Sequence, residues 1–131
     1  MNTRLEQSPV YKKAVSVYML SRKLTTYLTD DKDFNLLYKS THKGEQELEL
    51  MVVDSFSLAP NVALAEVSEE KIKRKKQVLQ LLQATKRIQK RIVRVQSHYR
   101  KDQDYLNLFN NELCGFDRLL RKRIPSLLAK N

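Results

Sequence analysis

Glycine occurs only twice and proline three times in 131 residues. A β-sandwich or barrel needs many tight turns, and this chain has few residues to make them. A single cysteine, Cys114, excludes an intramolecular disulfide and fits a reducing compartment. The N-terminal MNTRLEQSPVYKK has no apolar core of a secretory signal. No apolar run is expected to reach the roughly 20 residues that span a bilayer. Cytoplasmic localisation is the expectation by exclusion. Catalytic spacings are also missing. There is no CxxC or HxxxH pair for a metal, no Glu-x-x-His pair for a di-iron bundle, and no glycine-rich phosphate loop. His42 and His98 lie far apart in the chain. No enzyme, catalytic residue, metal ligand or cofactor is therefore expected. Cys114, beside Leu113, reads as a small buried apolar residue. Glu45, Glu47 and Glu49 alternate and read as a solvated patch.

What the chain does have is helical periodicity. Ser8-Pro9 is a helix start, with a serine cap and proline at the first position. Val10, Ala14, Val17, Leu20 or Ser21, Leu24 and Leu28 then define a stripe over 9–28. A second helix is expected over 33–65, capped by Asp31 or Asp33. Its face is Phe34, Leu37, Thr41, Gly44, Leu48, Met51, Ser55, Leu58 and Val62. Gly44 and Ser55 on that face point to a close neighbour, and Pro60 predicts a kink with helix continuing beyond it. Ser68 is expected to cap a third helix over 69–99, with Val78, Leu81, Leu82, Thr85, Ile88, Ile92 and Val95 inward. A fourth, over 104–124, turns Leu106, Phe109, Leu113, Phe116, Leu120 and Ile124 inward and stops at Pro125. Four such helices with short connections predict an all-α protein, an antiparallel up-down-up-down four-helix bundle in one domain.

Charge carries the functional reading. The chain has 25 Lys or Arg against 15 Asp or Glu, a net charge of +10. Such a field attracts polyanions, nucleic acid first and an anionic membrane second. From Lys71 to Lys101 there are twelve cations and no Asp or Glu. Lys73, Lys76, Arg87, Lys90, Arg91, Arg94 and Lys101 fall on one side, opposite the apolar stripe. With no acidic residue at i±3 or i±4 beyond the first turn, these charges repel one another. A solvated helix face is the bland reading; a phosphate-binding ridge is the expectation preferred here. Arg118, Arg121, Lys122 and Arg123 form a second basic patch, part of which also suits a helix C-terminus.

One segment carries a resemblance. Met51–Glu66, MVVDSFSLAPNVALAE, resembles the hallmark of the bacterial four-helix-bundle proteins encoded in 23S rRNA intervening sequences. In that pattern a small and apolar stretch leads to a proline and an asparagine, then to an apolar run ending in glutamate. Pro60, Asn61, Val62 and Glu66 stand in comparable places, with two more residues between the asparagine and the glutamate. The layout is also similar to the accessory protein of diversity-generating retroelements, which has a long basic third helix. Its final helix carries a Leu-Gly-type segment, to which Leu113-Cys114-Gly115-Phe116 is loosely similar. The resemblance implies a homopentameric ring of bundles. For the retroelement relative it also implies binding to a reverse transcriptase and its template RNA. The expectation is thus a nucleic-acid-binding accessory protein, RNA favoured over DNA, with a reverse transcriptase as partner and no membrane. The alternative is a structural bundle whose basic face docks on an acidic protein.

Overall fold

A computed structural model describes residues 3–29 and 42–130, and all regular structure among them is helical. A single turn, α1 (Thr3–Glu6), precedes α2 (Pro9–Leu28). The polar leader thus holds a helical turn, closed where the Ser8 amide donates to the Leu5 carbonyl (3.0 Å). α3 (Lys43–Phe56) and α4 (Leu58–Val67) follow, then α5 (Lys71–His98). A 3-10 turn, Arg100–Asp102, leads into α6 (Gln103–Ala129). The expected caps Asp31 and Asp33, and the apolar positions Phe34, Leu37 and Thr41, lie outside the described residues.

α2 begins as its sequence dictates. The Ser8 side chain accepts from the Tyr11 amide (3.2 Å), satisfying one of the free donors of the first turn, and Pro9 takes the first position. Val10, Ala14, Val17, Ser21, Leu24 and Leu28 are buried. α3 and α4 form one rod interrupted at Ser57. Pro60 has no N–H and its ring would crowd the Phe56 carbonyl, which disfavours regular helix there. The Ser57 hydroxyl and amide both turn back to the Asp54 carbonyl (2.7 and 3.2 Å), and helix resumes with Asn61 N on the Ser57 carbonyl (3.3 Å). Gly44, Leu48, Met51, Ser55, Leu58 and Val62 are all buried. Gly44 meets the start of the next connection. A Cβ there would stand 3.0 Å from His98 Cβ and 3.0 Å from Tyr99 Cε2.

α2 packs on α3, α4 and α6, and α5 packs on α3, α4 and α6. Val17, Leu24, Leu48, Leu81, Ile88, Phe109, Leu113 and Phe116 fill the shared core. Each such side chain contributes about 1.5–3 kcal/mol on burial. Truncating Leu113, fully buried, to alanine removes about 2–5 kcal/mol.

Four expectations are corrected. Ser68 closes α4 rather than opening α5, whose N-cap is Glu70. α6 runs through Pro125 to Ala129. Beyond the proline, Leu127 is buried at 2% exposure and Arg74 binds the Leu127 and Lys130 carbonyls, so packing holds the last turn despite the lost donor. Cys114 is exposed, because it lies a residue off the Leu113–Phe116 face. The stretch Lys43–Val67 is apolar enough, by length and composition, to cross a membrane. Its mean hydropathy reaches 1.4 over 18 residues, and a third of that window (33%) is buried within the bundle. Its acids Asp54 and Glu66 are paired with arginines of other helices.

Candidate nucleic-acid interface

α5 displays its lysines because their positions fall between the buried stripe residues Val78, Leu81, Thr85, Ile88, Ile92 and Val95. Lys76, Lys86 and Lys90 are exposed, as is Lys101 on the following turn. Among the described residues these four take part in no ion pair. Lys73 reaches only its own N-cap, Glu70 (3.5 Å), with both side chains well exposed.

The three arginines behave differently. Asp54 of α3 receives Arg87 Nε on one oxygen (3.3 Å) and Arg91 Nε on the other (3.2 Å). Glu47, two turns earlier, receives Arg91 Nη1 (3.1 Å) and Arg94 Nη1 (3.6 Å). The carboxylates are spaced by seven and the arginines by four and three, so both rows recur along facing sides of two helices. Arg91 sits at the centre of this ladder, its side chain 17% exposed, against 50% for Arg87 and 55% for Arg94. The expected opposition of Arg91 to the core is therefore corrected: it flanks the core and faces α3. The expectation of a solvated acidic patch at Glu45, Glu47 and Glu49 is corrected too. Glu45 is buried at 9%, and Glu47 works in the ladder. The acids that α5 lacks along its own length are supplied from α3.

Arg74 leaves the basic face altogether. It is 1% exposed. Its Nε donates to the Leu127 carbonyl (2.9 Å), Nη1 to the Ser68 carbonyl (3.0 Å) and Nη2 to the Lys130 carbonyl. It thus caps the negative end of α6 while tying it to the α4–α5 connection.

On α6, Arg118 and Lys122 are exposed and take part in no ion pair among the described residues. Arg121 is paired with Asp117 one turn back (3.1 Å). Arg123 is not part of a free patch. It makes a two-pronged contact with Glu66 (2.9 and 2.9 Å) that ties α6 to α4, and the bonds it donates to Glu66 hold its guanidinium above the ordinary range.

The fold joins groups the sequence keeps apart. The rings of His42 and His98 lie 5.9 Å apart, with Tyr99 6.4 Å from His42. His42 Nδ1 accepts from the Glu45 amide (3.3 Å) as the cap of α3. Burial first, and the Glu45 charge second, push the Tyr99 phenol up. Among the described residues no group of three His, Cys, Asp or Glu could hold a metal ion. An apolar seam also appears on the outer side of the α3–α4 rod. Leu50, Val53, Leu64 and Val67 are 40, 49, 49 and 54% exposed. Their spacing, with Ser57 and Pro60 between them, is that of a heptad seam, which a sequence reading confined to the inward face overlooks.

No family model, curated protein or solved structure matches this chain.

Proposed function

We propose that this protein is a non-enzymatic, cytoplasmic nucleic-acid-binding accessory protein that holds RNA against the outer face of α5. The observation that carries the reading is the set Lys76, Lys86, Lys90 and Lys101, exposed and without an acidic partner among the described residues. Unpaired cations repel one another, and a phosphate chain relieves that repulsion while releasing its counterions. Arg118 and Lys122 of α6 add to the same field. Arg87, Arg91 and Arg94 belong to this interface only as far as phosphates draw them from Glu47 and Asp54. The likeness of the helix layout, with its long basic third helix and the Leu113–Phe116 segment, to the retroelement accessory proteins supplies the partner in this reading, a reverse transcriptase with its template RNA.

An up-down-up-down order is part of the proposal. Pairings that run in opposite senses support it: Lys13 with Glu112 and Tyr27 with Tyr105, Glu47 with Arg94 and Asp54 with Arg87. Assembly into a homo-oligomer, a pentamer by the same likeness, is also part of it. The seam Leu50, Val53, Leu64 and Val67 supports that, since Asp54 and Glu66 beside it are paired with arginines and it presents an apolar row to a second copy.

A second reading draws on another observation. Ile72, Leu79 and Val93, at 82, 55 and 65% exposure, share the outward face of α5 with the lysines. Apolar side chains among cations fit an acidic amphipathic partner protein better than a phosphate chain. The two readings separate in one titration. A structured RNA and a duplex DNA of equal length are bound across a salt series by the wild type and by K76E/K90E/K101E. Steep salt dependence, lost in the folded variant, supports the nucleic-acid reading. No binding at low salt leaves the acidic-protein reading.

A further inference from the structure

We propose that the groove between α2 and the start of α6 is a second nucleic-acid site, one that stacks unpaired bases of a single strand on Tyr27 and Tyr105. The inference rests on the nucleic-acid reading above and adds a different surface with a different chemistry. The groove is an open depression of about 590 Å³, lined by Tyr18, Met19, Arg22, Lys23, Tyr27 and Tyr105. A smaller hollow of about 380 Å³ continues it along α2, past Met19 and Lys23 to Lys12.

Tyr27 and Tyr105 stack on each other at 4.4 Å and 21°, yet remain 49 and 42% exposed. A stacked pair of that exposure keeps ring surface free for a third ring. The platform is braced by Asp102, which neighbours Tyr27 and accepts its hydrogen bond. On the other wall, Arg22 Nη1 donates to the Tyr18 hydroxyl (3.0 Å), and the Tyr18 ring meets Phe56 edge-on at 5.2 Å. Tyr27 and Tyr18 are thus each braced by a residue beyond the lining, Asp102 and Phe56.

The electrostatics suit a polyanion. Lys12 and Lys23 lie along the groove and take part in no ion pair among the described residues. Two of the nearby acids are engaged, while Asp104, beside Tyr105, is exposed and takes part in no ion pair among the described residues. Glu112 receives Lys13 (2.6 Å) and Ser16 (2.7 Å), and Asp102 is engaged by Tyr27 and flanked in sequence by Arg100 and Lys101. From Lys12 to Tyr27 the helix rises about 22 Å, the reach of a few extended nucleotides. Duplexed bases offer no free ring face, whereas unpaired ones stack on aromatics whatever their sequence. Because Lys101 belongs both to the α5 set and to the turn beside Tyr27, a strand leaving a paired region on α5 would meet this platform next.

The test compares an eight-nucleotide single-stranded RNA with a duplex RNA of matched length, by fluorescence anisotropy, on four folded proteins checked by circular dichroism. They are the wild type, Y27A/Y105A, Y27F/Y105F and K76E/K90E. The inference expects Y27A/Y105A to lose about 5- to 150-fold in single-strand affinity with duplex affinity within twofold of wild type. It expects Y27F/Y105F to bind the single strand as the wild type does, since the rings remain. Unchanged single-strand affinity in Y27A/Y105A overturns it, as does an equal loss on both ligands or a wild type that ignores the single strand. The K76E/K90E arm reports separately on α5. Duplex binding that survives there sinks the ridge and leaves the stacking site standing.

Discussion

Replacing Glu47 and Asp54 together by glutamine and asparagine should strengthen nucleic-acid binding and steepen its salt dependence, although neither residue carries positive charge. The two carboxylates hold Arg87, Arg91 and Arg94 at 3.1 to 3.6 Å. In the wild type, the residues of the proposed interface without an acidic partner among the described residues include Lys76 and Lys90 of α5 and Lys101 of the following turn, with Lys86 beside them. If the first three each neutralise one phosphate of a duplex, the log–log slope of affinity against salt is about −2.7. Affinity then falls about 40-fold between 50 and 200 mM salt, the range over which such slopes are usually compared. The double amide keeps the shapes and removes the competing charge. Release of all three arginines takes the slope to about −5.4, and the loss over the same range to about 2,000-fold. Arg91 is the most enclosed, at 17% exposure; if it stays in place, Arg87 and Arg94 alone give about −4.5. The fold should survive, because partly exposed pairs contribute about 1 kcal/mol or less each. Fluorescence anisotropy with a labelled duplex across a salt series measures both slopes. A variant whose slope stays within about half a unit of the wild type would refute the argument that α3 restrains the arginines.

Other consequences follow from the geometry. Arg74→Met should lower stability by about 2–4 kcal/mol in urea denaturation, because the Leu127, Ser68 and Lys130 carbonyls lose a charged donor and no water replaces it in that enclosed site; a change under about 0.5 kcal/mol would mean those bonds contribute nothing net. Gly44→Ala should destabilise by about 1–2 kcal/mol in the same assay. The new methyl meets His98 Cβ at 3.0 Å, an atom fixed to the backbone of α5, and this outweighs the gain in helix propensity. Leu64→Glu should reduce the molar mass in solution, measured by light scattering after size-exclusion chromatography, because a charge in the exposed seam opposes self-association; an unchanged mass would place the oligomer contact elsewhere. The Glu112 carboxyl is held below its ordinary range by the hydrogen bonds it accepts from Lys13 and Ser16. Its contribution is therefore present above the unfolded carboxylate value and fades as pH falls through the lower folded one. Melting temperatures of the wild type and Glu112→Gln should differ near neutrality and converge in acid.

Much of the architecture was legible because helical periodicity is a local property. Ser8-Pro9 predicts the start of α2, where Ser8 caps Tyr11 and Pro9 holds the first position. The inward residues of α5 and α6 follow from steps of three and four. The interruption before Pro60 follows from backbone chemistry, and Gly44 on the inward face marks a close approach, whose partners His98 and Tyr99 only the fold supplies. Pro125 misled, since its local effect is outweighed by Arg74 and Leu127, two contacts that no window along the chain contains.

The candidate interface divides at the same place. Sequence determined that the stretch Lys71–Lys101 carries twelve cations and no acid, ten of them within α5, so the helix formed there is basic. Tertiary structure decided which cations are free. Asp54 lies 33 residues from Arg87 and 37 from Arg91, and it meets them because α3 lies beside α5 in that register. Tyr27 and Tyr105 become a platform, and His42 and His98 neighbours, for the same reason. A helix fixes the side on which a residue points, through a rotation of about 100° per residue. What that side meets depends on the crossing and axial shift of another helix, which hydrophobic burial sets for the bundle as a whole.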